Sequence, residues 1–358
     1  MSGGIAQLVA VGAQDAHLVG QPEISFFRST YKRHTNFSQT VERQVIQGNV
    51  SNGGMSTVRF ERKGDLLNYV YLVVNNGSVT ETVSDWTALI SKVELLVGGQ
   101  VIDEQDSTYS TLIAPTLSAT SSSKAPSGNL FGGSTDSKFY PLRFAFCENW
   151  QSALPLIALQ YHDVELRITW GSAAGDSNRK WDVYANYAYL DTQEREFFAS
   201  QPQNMIITQV QKATASQAKI QELNFNHPVK YLAASNTAGV YMLSAIGGVN
   251  NKTKLQINGT DVADFKFANP HFSSVPLYYH TTNGSSGILG GDASSTDLFV
   301  YPFCLDTGKL QPTGTLNFSR LDSARIVNDL SVNTDDIYAV NYNVLRVENG
   351  MGGLLYSN

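Results

Sequence analysis

"FAFCENWQSALPLIALQY" at residues 144–161 and "YPFCLDTGKLQPTGTLNF" at residues 301–318 are two versions of one pattern. Phe144, Phe146, Cys147, Pro155, Leu159 and Tyr161 match Tyr301, Phe303, Cys304, Pro312, Leu316 and Phe318 at a spacing of 157 residues. Three more blocks follow the same order. Lys92, Leu95, Val97 and Gly99 meet Lys252, Leu255, Ile257 and Gly259 at 160; Gly132-Gly133 meet Gly290-Gly291 at 158; Asp182-Val183-Tyr184-Ala185 meet Asp336-Ile337-Tyr338-Ala339 at 154. Four ordered blocks with a downward-drifting spacing indicate a duplicated unit, because self-similarity at a fixed period marks repeated architecture.

Each copy reads as β structure. "VELRITW" at 164–170 puts Val164, Leu166, Ile168 and Trp170 on one face and Glu165, Arg167 and Thr169 on the other, the period-two signature of a half-wet strand. "NYVYLVVN" at 68–75 is apolar on both faces, so it is central in a sandwich or pressed against a neighbouring unit. Similar runs lie near 41–47, 57–62, 93–97, 139–146, 205–211, 229–233, 240–246, 254–257, 298–303 and 337–347, separated by Gly, Asn and Pro turns. About eight strands per copy suit an eight-stranded jelly roll, two antiparallel sheets face to face, with another β-sandwich as the alternative. Between the copies, "YLDTQEREFFASQP" offers Asp191 as an N-cap, Glu194 three residues on and Pro202 as a stop, which predicts a short helix at the domain boundary. Two Ser/Thr/Gly-rich stretches, 115–137 and 273–295, fall in matching places and are expected to project as loops from one end of both units.

Composition limits the function. The 358 residues exceed the usual span of one core, with 42% hydrophobic and 16% charged residues. Thirty-one acidic against 25 basic side chains give a formal charge of -6, the wrong sign for wrapping bare nucleic acid. The start, "MSGGIAQLVAVGAQDAHLVG", lacks a basic region and makes a poor signal peptide. With two cysteines there is no disulfide framework, which fits a cytosolic site of synthesis.

Asp306-Thr307-Gly308 has the tripeptide of aspartic proteases, but that chemistry needs two carboxylates sharing a proton. In the other copy Asp306 aligns with Asn149, so no dyad is expected and the tripeptide reads as a turn. Cys147 and Cys304 align with each other and are read as small buried hydrophobes in separate cores. His17, His34, His162, His227, His271 and His280 show no ligand spacing, and no phosphate-cradling or nucleophile-elbow motif occurs. No catalytic, cofactor-binding or metal residue is assigned. Glu165 and Asp322 align between the copies and are read as structural carboxylates. In "PEISFFRSTYKRHTNF", 22–37, Ile24, Phe27 and Tyr31 have helical spacing beside Arg28, Lys32, Arg33 and His34. That segment is either a contact arm for a neighbour or an acidic partner, or a helix closing the first sandwich.

The chain also resembles one family, the double jelly-roll major capsid proteins of large nucleocytoplasmic DNA viruses of eukaryotes. The stretches that carry the resemblance are 7–37, 141–168, "YLDTQEREFFA" at 189–199, 301–322 and "NYNVLRVENGMGGLLYSN" at 341–358. The resemblance implies an all-β fold of two tandem eight-stranded jelly rolls with short loop helices: an N-terminal arm at 1–37, a first jelly roll at 38–198 and a second at 199–358. It implies a structural protein and no enzyme, a homotrimer of pseudo-hexagonal outline that tiles an icosahedral virion shell, and assembly in the host cytoplasm. Implied partners are copies of the chain itself, minor capsid proteins and an internal membrane at the base, without direct nucleic-acid binding. Residues 22–37 and the C-terminal "GMGGLLYSN" are expected to contribute to contacts between trimers. The alternatives are a minor shell component of the same ancestry, or a glycan-binding or glycan-cleaving β-sandwich that uses the 17 Tyr and four Trp for stacking.

Overall fold

The structure, a computed structural model, describes residues 2–83, 85–118, 138–176, 178–236, 240–281 and 298–357. The chain forms two units, residues 1–36 and residues 37–358. The first contains the helices Ser2–Val9 and Ala16–Val19. Residues 22–36 contain no helix, so a helix closing the first sandwich is not formed. Ser25, Phe26, Phe27, Ser29, Thr30 and Tyr31 are modest helix formers, and a short helix needs a packed face; Phe27 is 99% exposed.

Residues 37–358 hold two β-sandwiches. In the first, the eight main strands are β1 (Phe37–Gln44), β2 (Met55–Arg59), β3 (Leu66–Asn75), β4 (Ile90–Val97), β5 (Gln100–Asp106), β6 (Tyr140–Pro141), β7 (Val164–Trp170) and β8 (Lys180–Leu190), with the two-residue pieces Ile46–Gln47 and Leu154–Pro155 paired to β2 and β3. They form two antiparallel sheets, ordered β1-β8-β3-β6 and β2-β7-β4-β5. In the second, strands are β9 (Gln203–Ala213), β10 (Ile220–Glu222), β11 (Pro228–Ala234), β12 (Lys252–Ile257), β13 (Thr260–Asp261), β14 (Phe299–Pro302), β15 (Ala324–Asn328) and β16 (Ile337–Glu348). Their orders are β9-β16-β11-β14 and β10-β15-β12-β13. Add eight to each strand number of the first sandwich and the second results: this is the jelly-roll order, written twice. A final strand, β17 (Met351–Leu354), pairs with β16.

Local chemistry explains these elements. Strand β7 alternates as expected, with Val164, Leu166, Ile168 and Trp170 all buried. Its Trp170 indole N–H donates to Ser56 Oγ at 2.8 Å, and the ring lies 4.5 Å from that of Trp181. The β4–β5 hairpin turns on Gly98 (φ +58) and Gly99 (φ +82), the β12–β13 hairpin on Asn258 (φ +50) and Gly259 (φ +77), the two positive-φ residues that a tight hairpin favours. Between the sandwiches runs the helix Thr192–Ser200, with the Asp191 carboxylate accepting the Thr192 N–H. Arg195 ties it to the buried Asp65 at 3.1 Å, and Asp65 also accepts the Leu190 N–H at 2.8 Å.

Some expectations are corrected. The run 240–246 is a helical turn, Tyr241–Leu243, followed by the short strand Ala245–Ile246, because Met242 and Leu243 are buried as neighbours instead of alternating. The run 139–146 yields only the two-residue β6 before the helix Ala145–Glu148. Parts of the two expected loops are ordered helix: Ala114–Leu117 is fully buried, and Ser274–His280 forms a helix; positions 119–137 and 282–295 lie outside the described residues.

The repeat itself shifts in one block. Leu154 pairs with Leu67 of β3, and Leu316 with Val229 of β11, so Leu154 and not Leu159 is the counterpart of Leu316. Likewise Leu166 opposes Leu95 while Ile326 opposes Leu255, which sets Glu165 against Arg325 and leaves Asp322 in the turn before β15. The spacing therefore does not drift steadily, because insertions fall between strands, where loops tolerate them.

Candidate assembly surfaces

The sequence motif with protease character is a closed turn. Asp306 Oδ1 accepts the Gly308 N–H at 2.8 Å, as its aligned residue Asn149 accepts the Gln151 N–H at 3.2 Å. Both are Asx turns, and Thr307 is buried. Cys304 is buried and Cys147 partly so; burial raises both thiol pKa values, which suppresses the reactive thiolate. His162 and His280 are held through Nδ1 by the carbonyls of Gly352 and Cys304. Among the described residues no His, Cys, Asp and Glu cluster suits a metal ion.

What the structure does assemble is an interface between the sandwiches. The segment after β5, Tyr109–Ile113 running into Ala114–Leu117, lies on the outer face of the sheet β9-β16-β11-β14. Tyr109, Ile113, Ala114 and Leu117 form one apolar cluster with Tyr231, Ala233, Tyr338 and Val340. The Tyr109 and Tyr338 rings are 6.0 Å apart, and the Tyr338 hydroxyl donates to Asp106 Oδ2 at 2.5 Å. Lys212 bridges Asp106 at 3.0 Å and Asp336 at 2.7 Å, so a cation of the second sandwich holds a carboxylate from each. Beside it β5 lies along the edge strand β9. There the Gln209 amide donates to the Ile102 carbonyl, and buried Asp103 accepts the Val210 N–H at 2.9 Å. Covering an edge this way removes an unpaired strand from solvent. Burial raises the Asp103 pKa to about 7, against the opposing N–H donors.

A second strap runs from the C-terminus. Gly350 carbonyl accepts the Tyr161 N–H at 2.9 Å, and the Leu354 N–H donates to Gln100 Oε1 at 3.3 Å. Residues 350–354 are thus engaged within the chain, against the first sandwich, while Leu355 and Tyr356 remain exposed.

A cleft of about 430 Å³ also opens between the sandwiches. Buried Lys230 lines it, donating from Nζ to the Lys309 carbonyl at 3.0 Å; burial lowers its pKa.

The two sheets that carry the first strand of each sandwich differ in one respect. On β11 and β16 both faces are buried, from Val229 to Ala234 and from Ile337 to Asn343. On β3 only Leu67, Val70, Leu72 and Val74 are buried, and Tyr69, Tyr71 and Val73 on the other face stay partly open. Tyr71 stacks on Tyr184 at 5.4 Å, and Tyr69 and Tyr71 line a cleft of about 720 Å³. The two-faced reading of "NYVYLVVN" pointed at this surface. Missed in the sequence was the covering segment 109–117, which lies far along the chain from the sheet it covers and carries no local pattern that signals the contact.

Comparison with known proteins agrees with this architecture. A family model described as "Major capsid protein N-terminus" matches residues 25–242, and one described as "Large eukaryotic DNA virus major capsid protein" matches residues 194–353. The major capsid protein of Pyramimonas orientalis virus is 37% identical and that of Paramecium bursaria Chlorella virus 1 is 31% identical, each alignment covering 100% of both chains. The solved capsid of the latter, a quasi-atomic model, superposes with a TM-score of 0.71 at 28% identity, covering 93% of this chain and 100% of that one.

Proposed function

Because the chain belongs to the family of major capsid proteins of large eukaryotic DNA viruses, we propose that three copies join into a capsomer of pseudo-hexagonal outline and that such capsomers tile an icosahedral shell. The chain is a structural virion component and not an enzyme. The observation that carries the proposal is the doubled strand order: three chains with two like sandwiches each supply six like units, which suits a ring filling a six-cornered lattice site. Large apolar contacts hold the trimer and weaker ones join trimers, so that misplaced capsomers leave.

In this reading the chain divides into an arm at 1–37, a first jelly roll at 38–198 and a second at 199–358. The arm faces the base, toward minor capsid proteins and an internal membrane. Assembly takes place in the host cytoplasm. Light scattering of the purified chain tests the core of the proposal. A mass of three chains supports it, and a mass of one chain at every accessible concentration overturns it.

A further inference from the structure

The covered and uncovered sheets are counterparts, and the internal repeat states what is missing from the uncovered one. Tyr184 on β8 and Tyr338 on β16 are matched positions: Tyr184 opposes Tyr71 of β3, and Tyr338 opposes Ala233 of β11. Arg43 opposes Tyr184 as Lys212 opposes Tyr338, and each cation pairs with the matched carboxylate, Arg43 with Asp182 at 2.5 Å and Lys212 with Asp336 at 2.7 Å. The same platform is thus built twice. On the second, the helical segment that precedes β6 of the neighbouring sandwich covers the tyrosine. On the first, Tyr69 is 42% exposed and Tyr71 and Tyr184 are partly so.

The second sandwich has a helical segment in the matching place in chain order, Ser274–His280 before β14. Its Pro276 and Leu277 are buried, Leu277 with Leu298 and Val300 of its own sandwich, and its end is fixed by the Thr307 N–H donating to the His280 carbonyl at 2.8 Å. The side turned away presents Tyr278 and Tyr279, 70% and 72% exposed, as an edge-to-face pair 4.8 Å apart. Two exposed aromatic side chains held on an anchored helix are interface anchors by chemistry: large, amphipathic and cheap to order.

We propose that the outer face of the first sandwich, Tyr69, Tyr71 and Tyr184, seats the Ser274–His280 helix of a second copy, docked as Tyr109–Leu117 docks on the second sandwich within one chain. The proposal rests on the trimer reading and specifies its contact. The contact is head-to-tail, so it closes only as a ring; three copies then alternate covalent and non-covalent versions of one joint.

The test combines light scattering with tyrosine nitration. If the unaltered chain is never trimeric, the trimer reading itself fails. Given a trimer, Tyr278→Ser/Tyr279→Ser and Tyr69→Ser/Tyr71→Ser each raise the dissociation concentration at least about tenfold, as anchor loss does, with melting temperatures near that of the unaltered chain. In the unaltered trimer, Tyr71, Tyr184, Tyr278 and Tyr279 nitrate slowly and become reactive on dilution to monomers, a readout that needs no variant. Trimers of unchanged affinity in both double variants, or nitration of these tyrosines at equal rates in trimer and monomer, overturn the proposal while leaving the trimer intact.

Discussion

Asp103 accepts the Val210 N–H at 2.9 Å, so a buried carboxylate of the first sandwich caps the edge strand of the second. With a pKa near 7, this group is protonated in the folded chain at pH values where the unfolded chain has already lost the proton. The folded state then binds more protons than the unfolded one between about pH 4 and pH 7. Stability contributed here is full below about pH 4 and is lost as pH rises to 7, by an amount on the order of a few kcal/mol. Urea unfolding at pH 4.5 to 8 checks this, and Asp103→Asn flattens that part of the profile.

Tyr338 offers a second measurement. Tyr338→Phe removes the hydroxyl that donates to Asp106 and costs about 1 kcal/mol, whereas Tyr338→Ala also opens the apolar cluster and costs about 3–5 kcal/mol. Denaturant midpoints of the two variants separate the hydrogen bond from the packing.

The C-terminal strap depends on a glycine at 350. Its φ of +79 is left-handed, and an added Cβ would stand 2.6 Å from Tyr161 Cδ2. Gly350→Ala costs about 1–2 kcal/mol by backbone conformation. Faster hydrogen exchange at the Leu354 amide, with core amides unchanged, is the expected signature.

Removal of residues 1–36 leaves the unit 37–358 whole. The truncated chain is expected to melt within a few degrees of the full chain and to form trimers, but no shells. Electron microscopy of assembly reactions checks the second outcome; shells of normal yield would exclude the arm from lattice contacts.

Much of this was readable from residues alone. Alternation in "VELRITW" gave β7 and its buried face, and Asp191 gave the start of the linking helix. The aligned Tyr184 and Tyr338 gave the matched strands, though not that one would be covered. Coverage depends on residues 109–117, a segment distant in sequence whose helical form is stabilised by the sheet it covers, and no local pattern encodes that. Ile24, Phe27 and Tyr31 fail for the opposite reason: their spacing is helical, but the unit they belong to buries none of them.

In the trimer proposed above, the segment Tyr109–Leu117, seated between the sandwiches within one chain, changes the kinetics of building a ring. Six separate sandwiches would have to meet five times before closure, each meeting limited by dilution. Since half of the joints are already tethered at birth, a ring of three chains needs only two collisions, and the local concentration set by the tether replaces the bulk concentration for the rest.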